Sequence, residues 1–283
     1  MRRYIEKADI LIEALPYLRA FRNKAFVIKY GGRAIASDKG KRAILEDIVF
    51  LSSVGICPIL VHGGGPHIDA KLREEGIQFT FVEGRRVTDG KAMGIVNEVL
   101  TELNRKLVRD ISEDLEGRAK GLDGKKGLFQ IKAISKEKLG YVGEIVRVKC
   151  SMIQSLLERS VIPVISPISR GKDGKLYNVN ADEAATKVAE ALRAEKLVFL
   201  TDVNGILRDR QDPDSRIPTV RVEDAESLIT QRIVDQGMIP KIRAAKHAIS
   251  KGVRKVHIIN GNLPRALLLE IFTDQGIGTE IVK

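Results

Sequence analysis

Polar residues and glycines stand at the ends of three apolar runs in the sequence. These segments are KYGG at residues 29–32, HGGG at 62–65 and TDVNG at 201–205. Glycine lets a backbone approach a ligand closely and presents N–H groups to phosphate oxygens, while a lysine such as Lys29 supplies a point charge. A single glycine turn is more often structural, but three at one edge of a sheet favour an anion-binding site.

Three further segments carry side chains suited to anionic ligands. GRRVTD offers Arg85 and Arg86 ahead of a predicted helix, and a planar guanidinium can bind a carboxylate through two hydrogen bonds. NVNAD ends on Asp182 at a predicted helix start, and GMIPK ends on Lys241. Arg86 is the stronger binding candidate of the two arginines, because Arg85 is more often structural or exposed in such a pair. Asp182 could be a catalytic residue or only a helix cap.

The common nucleotide and metal motifs are missing from the sequence. No GxxxxGK[ST] occurs, which excludes a P-loop enzyme, and the HRD and DFG segments of protein kinases are also missing. The histidines form no HExxH, and Cys57 and Cys150 are far apart without metal-ligand spacing. We therefore expect no metal held by a cage of protein side chains. His62 could contact substrate, but a hydrogen-bonded residue at a strand end is the favoured interpretation.

Composition narrows the possible partners. The 283 residues carry a formal net charge of +11, with basic residues spread among 37 acidic ones and few aromatic residues. Nucleic-acid binders more often concentrate basic residues on one element, so we favour a solvated basic surface over nucleic-acid binding. No apolar run approaches the ~20 residues of a membrane span, and no export signal follows the first residues. We expect a cytoplasmic protein that binds neither nucleic acid nor membrane.

Apolar strands alternate with amphipathic helices along the chain. Predicted strands cover 25–32, 56–66, 161–166, 196–203, 255–260 and 279–282, and predicted helices cover 41–53, 92–111, 223–234, 240–251 and 264–273, with further helices opening near 151 and 182. The segment 118–148 is interpreted as hairpins. Repeated β-α-β units with continuous apolar strands predict an α/β protein, a three-layer αβα sandwich around a mostly parallel sheet. Ligands of such sheets bind at the carboxyl ends of the strands, where the three glycine turns lie.

A further helix is predicted ahead of the first core strand, at residues 5–21. Ile5, Ile12 and Leu15 fall on one apolar stripe, and Pro16 should kink the helix because it removes one backbone donor. The stripe must be buried against something. It covers either its own subunit or another one.

Seven segments follow, in order and at matching separation, the motifs of a known enzyme family. They are KYGG, VHGGGP, GRRVTD, YNVNADEAA, KLVFLTDVNGIL, GMIPK and INGNLPRALLLEIFTDQGIGT. On these motifs the chain resembles the N-acetylglutamate kinases of the amino acid kinase superfamily over nearly its entire length. HGGG occurs across the superfamily, whereas GRRVTD with YNVNAD and the C-terminal motif is much more specific. The resemblance implies the amino acid kinase fold and ATP-dependent phosphorylation of the side-chain carboxylate of N-acetyl-L-glutamate, in arginine biosynthesis.

The resemblance also implies a role for each candidate residue. Lys29 and Lys241 would neutralise the moving phosphoryl group, and Asp182 would orient both lysines. Substrate binding falls to Gly64, Gly65, Arg86 (at the α-carboxylate) and Asn178 (at the acetamido group), and phosphate or ATP binding to Gly31, Gly32, Gly63, Thr201, Asp202 and Gly205. Mg²⁺ would arrive with ATP. No general base is needed, because a carboxylate with a pKa of about 4.3 is already ionised at neutral pH.

Three parts of the chain follow from the same resemblance. They are a kinked oligomerisation helix at 1–24, a lobe at 25–170 that binds the amino-acid substrate and forms a dimer, and a lobe at 171–283 that binds ATP. Family members with such a helix are inhibited by arginine and join dimers into a hexameric ring. L-arginine would then bind between the helix and the C-terminal motif, near Glu270 and Gly278.

Departures from the family pattern keep other functions open. Arg33 follows the glycine pair where a small residue is usual, Gln236 replaces a common glycine, and the segment 121–128 is altered. One alternative is another carboxylate kinase of the superfamily, acting on carrier-bound or free glutamate or aminoadipate. A second is a catalytically weak regulatory homologue, although the presence of Lys29, Asp182 and Lys241 argues against it.

Overall fold

The computed structural model describes residues 1–31, 38–209, 211–212, 214–234 and 237–283. Within these ranges the helices are α1 (Arg2–Phe21), α2 (Asp38–Ser53), α3 (Gly65–Glu74), α4 (Gly90–Arg109), α5 (Lys136–Leu139), α6 (Cys150–Leu157), α7 (Ala181–Leu192), α8 (Ala225–Thr230), α9 (Ile239–Ser250) and α10 (Ala266–Ile271). A π-helical turn, Asp110–Asp114, continues α4. No helix in the described ranges is long and apolar enough to cross a membrane.

A large central sheet organises the described strands. The strands are β1 (Ala25–Tyr30), β2 (Cys57–His62), β3 (Phe81–Val82), β4 (Arg85–Arg86), β5 (Ala119–Gly124), β6 (Phe129–Ala133), β7 (Val142–Val148), β8 (Ile162–Arg170), β9 (Leu176–Val179), β10 (Lys196–Thr201), β11 (Ile206–Leu207), β12 (Arg216–Ile217), β13 (Thr219–Arg221), β14 (Lys255–Asn260) and β15 (Thr279–Val282). The main sheet has the order β13-β15-β14-β10-β1-β2-β8-β9-β7-β6, and β5 pairs with β8. The pairs β3–β4 and β11–β12 form separate hairpins.

The three strands that end in glycine turns are neighbours. β1 lies between β10 and β2 and pairs with both in parallel, so that Lys29 stands beside Phe199 and Tyr30 beside His62. Parallel neighbours place their carboxyl ends on the same edge of the sheet. The sequence prediction that the three turns share one edge is therefore confirmed.

Each central strand contributes to two hydrophobic layers, because successive side chains point to opposite faces. On β1, Val27 packs in the layer that contains α7 and α9, whereas Phe26 and Ile28 pack in the layer that contains α2 and α10. Both faces of β1 are buried, as the continuous apolar run predicts. The mostly parallel sheet with helices on both faces confirms the predicted αβα sandwich.

The segment 118–148 differs from its prediction as hairpins. β6 and β7 do form an antiparallel pair, joined through the short helix α5. β5 instead pairs in parallel with β8, more than 35 residues later in the chain, so it belongs to the main sheet. Glycine punctuation marks the strand ends correctly, but it does not show which strand is the partner.

Helix α1 exposes much of its apolar surface. Ile10, Leu11 and Ile12 are 63%, 68% and 67% exposed, whereas Tyr17 and Phe21 near its end reach the rest of the chain through aromatic contacts. Pro16 lies inside the helix, as predicted. Among the α1 side chains that the structure describes, those that the subunit partly covers lie in the last turns of the helix.

Candidate active site

Asp182 lies at the centre of the charged groups that the sequence predicted. It is the second residue of α7, and the helix is capped by Asn180, whose side-chain oxygen accepts the N–H groups of Asp182 and Glu183 at 2.8 and 3.2 Å. Because Asn180 provides the cap, the Asp182 carboxylate is available for other partners. The interpretation of Asp182 as only a cap is wrong.

Two lysines from distant parts of the chain flank this carboxylate. Lys29 Nζ lies 2.9 Å from Asp182 Oδ1, and Lys241 Nζ donates to Oδ2 at 2.8 Å. Burial by itself would raise the pKa of Asp182, but the adjacent charges and hydrogen bonds of the lysines outweigh burial and lower the pKa to about 2. The cluster thus combines two cations with one anion, and it retains a net positive charge for an incoming phosphoryl group.

A cavity of about 220 Å³ opens beside this cluster. Its lining residues include Lys29, Asp182, the glycines at 63–65, Arg86 and Asn178. The structure therefore brings Lys29, Asp182 and the predicted substrate-binding residues to one cavity, and Lys241 reaches the same cluster through its hydrogen bond to Asp182. Asn178 donates its amide to Thr88 Oγ1 at 3.3 Å, which orients the side chain.

Arg86 is a buried cation with unused hydrogen-bonding capacity. Its Nη2 donates to Asp69, and its guanidinium carbon lies 4.7 Å from the ring centroids of both Phe79 and Phe81. Its Nη1 is buried and, among the described residues, has no hydrogen-bond partner. A buried charged donor without an acceptor is costly, so an anionic ligand in this cavity would satisfy it. The sequence did not reveal Asp69 or the two phenylalanines as partners.

Arg85 has a different environment from Arg86 although both line the cavity. Arg85 Nη2 donates to Glu183 Oε2 at 3.0 Å, and Glu183 Oε1 accepts the backbone N–H of Ile145 at 3.0 Å. Arg85 therefore joins the β3–β4 hairpin to α7 and β7. This pairing agrees with the interpretation of Arg85 as the more structural arginine.

The first two glycine turns touch each other. The Gly63 N–H donates to the Tyr30 carbonyl at 2.7 Å, and a Cβ on Gly31, which has a φ of +142°, would come within 3.0 Å of the Gly63 nitrogen. Gly64 caps α3, which begins at Gly65, and a Cβ on Gly64 would collide with Leu100 at 2.7 Å. Glycine is therefore required for this close contact. Gly32 and Arg33, like Gln236, lie outside the described residues.

The third turn lies on the same edge but does not line the first cavity. Thr201 is buried, and its hydroxyl lies 3.1 Å from the Ile259 carbonyl oxygen; Asp202 is exposed. Gly205 has a φ of +78°, and a Cβ there would lie 2.6 Å from Thr279 Oγ1. Gly205 thus has a structural reason to be glycine. A nucleotide role for these three residues stays a prediction.

A second cavity, of about 540 Å³, lies between the end of α1 and the C-terminal segment. Tyr17, Lys196, His257, Glu270 and Gly278 are among its lining residues. The two candidate inhibitor-binding residues, Glu270 and Gly278, are therefore brought together near α1. The sequence did not single out Lys196 or His257, because a lysine and a histidine inside strands resemble ordinary strand residues.

Glu270 already has several partners within the second cavity. Its Oε1 lies 2.6 Å from His257 Nδ1, and its Oε2 accepts the N–H groups of Ile277 and Gly278 at 2.7 and 2.9 Å. Burial raises the pKa of Glu270, but the hydrogen bond from His257 and the other contacts reverse this and lower it. Lys196 Nζ lies 2.9 Å from His257 Nε2, and burial lowers the pKa of Lys196 to about 8.

Comparison with known proteins gives the family to which this fold and this site belong. The amino acid kinase family profile matches residues 24–260, and the chain belongs to this family. It is an enzyme of the phosphotransferase class.

Curated relatives narrow the comparison to one activity. The chain is 49% identical to the acetylglutamate kinase of Caldanaerobacter subterraneus subsp. tengcongensis, covering 99% of this chain and 94% of the relative. It is 44% identical to the acetylglutamate kinase of Heliobacterium modesticaldum, with complete coverage of both chains.

Solved structures extend the comparison to a second enzyme. N-acetylglutamate synthase from Neisseria gonorrhoeae, complexed with coenzyme A and N-acetyl-glutamate, superimposes with a TM-score of 0.86 at 28% identity, covering 98% of this chain. A second structure of that synthase contains coenzyme A and L-arginine, and its TM-score is 0.85 at 28% identity. The chain spans 63% and 65% of the two synthase chains. Carbamate kinase from Giardia lamblia shares the fold, with a TM-score of 0.69 at 16% identity.

Proposed function

We propose that this protein transfers the γ-phosphoryl group of ATP to the side-chain carboxylate of N-acetyl-L-glutamate, giving N-acetyl-L-glutamyl 5-phosphate for arginine biosynthesis. The observation that carries the proposal is one cavity that is lined by Lys29, by Asp182 and by Arg86, which has an unsatisfied guanidinium nitrogen. The Asp182 carboxylate pairs with both Lys29 and Lys241. The curated relatives are acetylglutamate kinases, and the related synthase structure contains N-acetyl-glutamate. We therefore assign the cavity to the amino-acid substrate.

The residues of the cavity suit a reaction between two anions. Lys29 and Lys241 neutralise the phosphoryl group as it moves, and Asp182 holds both ammonium groups in place. The attacking carboxylate is already ionised, so positioning and charge neutralisation perform the catalysis. Gly64 and Gly65 offer N–H groups at the start of α3, where the helix dipole also favours an anion.

The two ends of N-acetylglutamate have matching partners in the cavity. Arg86 binds the α-carboxylate, which satisfies its free Nη1, and Asn178 holds the acetamido group. Gly31, Gly32 and Gly63 serve the phosphates, and Thr201, Asp202 and Gly205 at the neighbouring strand end serve the nucleotide. In this arrangement residues 25–170 form the substrate and dimer lobe and residues 171–283 form the ATP lobe.

Mg²⁺ enters this site with ATP. Among the described residues no group of three His, Cys, Asp or Glu side chains could hold a metal, and Asp182, which lines the cavity, is engaged by two lysines. Mg²⁺ in phosphoryl-transfer sites is commonly bound through substrate phosphates with few protein carboxylates. The ion would add positive charge to the phosphates that the lysines and glycine N–H groups also contact.

Regulation by L-arginine fits the second cavity. Its lining includes the acidic residues Glu270, Asp274 and Glu280, and the related synthase structure contains L-arginine. The exposed stripe of α1 offers a surface for a second copy of the chain, and α1 also borders the cavity through Tyr17. We propose a homohexamer, in which α1 joins dimers into a ring, and a cytoplasmic enzyme whose assembly and arginine response are linked.

The proposed activity is tested by ADP release from ATP with N-acetylglutamate, glutamate, aspartate and 2-aminoadipate as acceptors. We expect kcat/KM for N-acetylglutamate to exceed the others, because only that acceptor has both the acetamido group and the correct spacing between carboxylates. Higher kcat/KM for glutamate or aminoadipate would contradict the assignment. A chain that releases no ADP with any acceptor, although it binds ATP, would instead indicate a regulatory homologue.

A further inference from the structure

His62 is a fully buried residue immediately before the glycines that line the first cavity. Its two ring nitrogens have different neighbours. Nδ1 lies 3.0 Å from the Gly63 carbonyl oxygen, and Nε2 lies 3.0 Å from the Asn104 amide nitrogen on α4. The proposed function gives His62 no contact with substrate, so the role of its hydrogen bonds with Gly63 and Asn104 has to be explained separately.

The Asn104 amide determines which nitrogen of His62 carries the hydrogen. The same amide nitrogen lies 2.9 Å from the Val164 carbonyl oxygen, which can only accept a hydrogen bond. This atom is therefore the NH₂ group, and it donates to His62 Nε2. Burial lowers the pKa of His62 to about 4, so the ring is neutral at neutral pH and has a single N–H. That N–H is on Nδ1, and it donates to the Gly63 carbonyl.

The direction of the Gly63 carbonyl fixes the direction of the next N–H. In a trans peptide the C=O and the following N–H point in opposite directions, and no described peptide is cis. With its carbonyl held by the buried ring, the Gly63–Gly64 peptide turns the Gly64 N–H away from His62. Gly63 and Gly64 line the first cavity, whereas His62 is not among its lining residues. Among the described residues, no backbone carbonyl accepts the Gly64 N–H.

A peptide between two glycines needs such support. Glycine lacks a Cβ and populates a wide range of backbone angles, so the Gly63–Gly64 peptide could rotate at little energetic cost. A Cβ on Gly64 would collide with Leu100, but this need for glycine does not set the direction of the Gly64 N–H. The hydrogen bond from His62 restricts that direction.

We propose that His62 is a positioning residue for phosphoryl transfer, whose Nδ1–H holds the Gly63–Gly64 peptide so that the Gly64 N–H faces the reacting carboxylate. Asn104, on α4, contributes by donating to His62 Nε2, which keeps the ring hydrogen on Nδ1. The inference rests on the proposed function, because it assumes that the Gly64 N–H contacts the substrate of that reaction.

Two substitutions of equal shape isolate the hydrogen bond. In His62→Asn the amide NH₂ stands on Cγ, as Nδ1 does, and can still donate to the Gly63 carbonyl, whereas His62→Leu has the same branching without a donor. Both variants lose the bond from Asn104 equally. We expect His62→Leu to lower kcat/KM for the carboxylate acceptor by roughly tenfold or more, and His62→Asn to recover most of that loss. The KM for ATP should stay within about twofold in both.

A thermal midpoint for each variant separates positioning from folding. If the two variants melt within a few degrees of each other and only His62→Leu loses kcat/KM, the donor is responsible. Equal losses in both variants, or wild-type kcat/KM in His62→Leu, would overturn the proposal.

A spectroscopic measurement tests the tautomer of His62 in the wild-type protein. The chain has four histidines, and ¹⁵N labelling of their rings with His62→Asn as the assignment reference gives the Nδ1 and Nε2 shifts of His62. We expect a protonated Nδ1 and an unprotonated Nε2 from pH 8 down to about pH 5, with no titration. A protonated Nε2 in this range would rule out the bond to Gly63.

Failure of the proposed substrate and failure of this inference are distinguishable. If the wild-type chain prefers another acceptor in the ADP-release panel, the same two variants are compared with that acceptor, and the tautomer is measured on the free protein. For any acceptor, the inference is then tested by the difference in kcat/KM between His62→Asn and His62→Leu and by the ¹⁵N shifts of the His62 ring.

Discussion

Asn180 caps helix α7 two residues before Asp182, and its side-chain oxygen accepts the Asp182 backbone N–H at 2.8 Å. An aspartate in the first turn of a helix is well placed to become the cap itself. Here the asparagine fills that role, and the Asp182 carboxylate is available to two lysines. Asn180 therefore has the capping role at the start of α7, and Asp182 has the interaction with the two lysines.

Asp182 should make the stability of the protein depend on acid pH. Its pKa is about 2 in the folded chain, below the ordinary 3.8, so its ionised form stabilises the fold above pH 4 and this contribution is lost as the pH falls through about 2. The difference in unfolding free energy between wild type and Asp182→Asn should shrink by about 2 kcal/mol between pH 5 and pH 2. Urea unfolding of both proteins at several pH values measures it. A difference that does not change with pH would contradict the pairing.

Lys29→Ala and Lys241→Ala should each lower kcat by about two or more orders of magnitude, because each removes charge that matters most in the transition state. Lys136→Ala is the matched control, since Lys136 is an exposed lysine paired with Asp173 outside both cavities' charged clusters. Steady-state ADP release with saturating substrates gives kcat, and circular dichroism checks the fold. Near-normal kcat in Lys29→Ala or in Lys241→Ala would exclude the proposed role of that lysine.

Arg86→Ala should chiefly raise the KM for N-acetylglutamate, by roughly 10- to 100-fold, with little change in the KM for ATP. The α-carboxylate does not change charge during transfer, so its hydrogen bonds contribute equally to ground and transition states. Arg85→Ala provides the comparison, because Arg85 is already paired with Glu183, and we expect only a few-fold change. A larger effect on ATP than on N-acetylglutamate would place Arg86 in another part of the site.

Deletion of residues 1–22 should convert a hexamer into an active dimer that no longer responds to L-arginine. Leu11→Asp is a milder test, because Leu11 is 68% exposed in the subunit and its replacement does not disturb the core. Light scattering gives the assembly state, and titration with L-arginine gives the inhibition. A full-length dimer that ignores millimolar L-arginine would contradict both the assembly and the regulation.

The fold and the site are predictable from the sequence where local signals and the sheet geometry agree. The strand that ends at Lys29 and the strand that ends at His62 are both continuous apolar runs, and parallel pairing alone brings their turns together. Lys241 could be joined to them only through the resemblance, because 59 residues separate it from Asp182. In the structure, Lys241 donates to the Asp182 carboxylate.

Partners distant in sequence escaped prediction for a physical reason. Asp69 beside Arg86 and His257 beside Glu270 are polar residues whose environment depends on tertiary packing, which no local period reveals. The same holds for β5, whose parallel partner β8 begins 38 residues after β5 ends. Glycines in the sequence mark the ends of β5, but the pairing of β5 with β8 depends on the arrangement of the whole sheet.

Strand β10 begins at Lys196, which lines the second cavity, and ends at Thr201 on the edge that carries the glycine turns. Its six residues span about 16 Å of extended chain. All six are buried, and a close-packed interior resists bending of a single strand. Because β10 resists bending, a local distortion at one end is not transmitted along the strand. A molecule bound at one end of β10 would therefore reach the other end by moving the strand together with its sheet, and not by bending the strand.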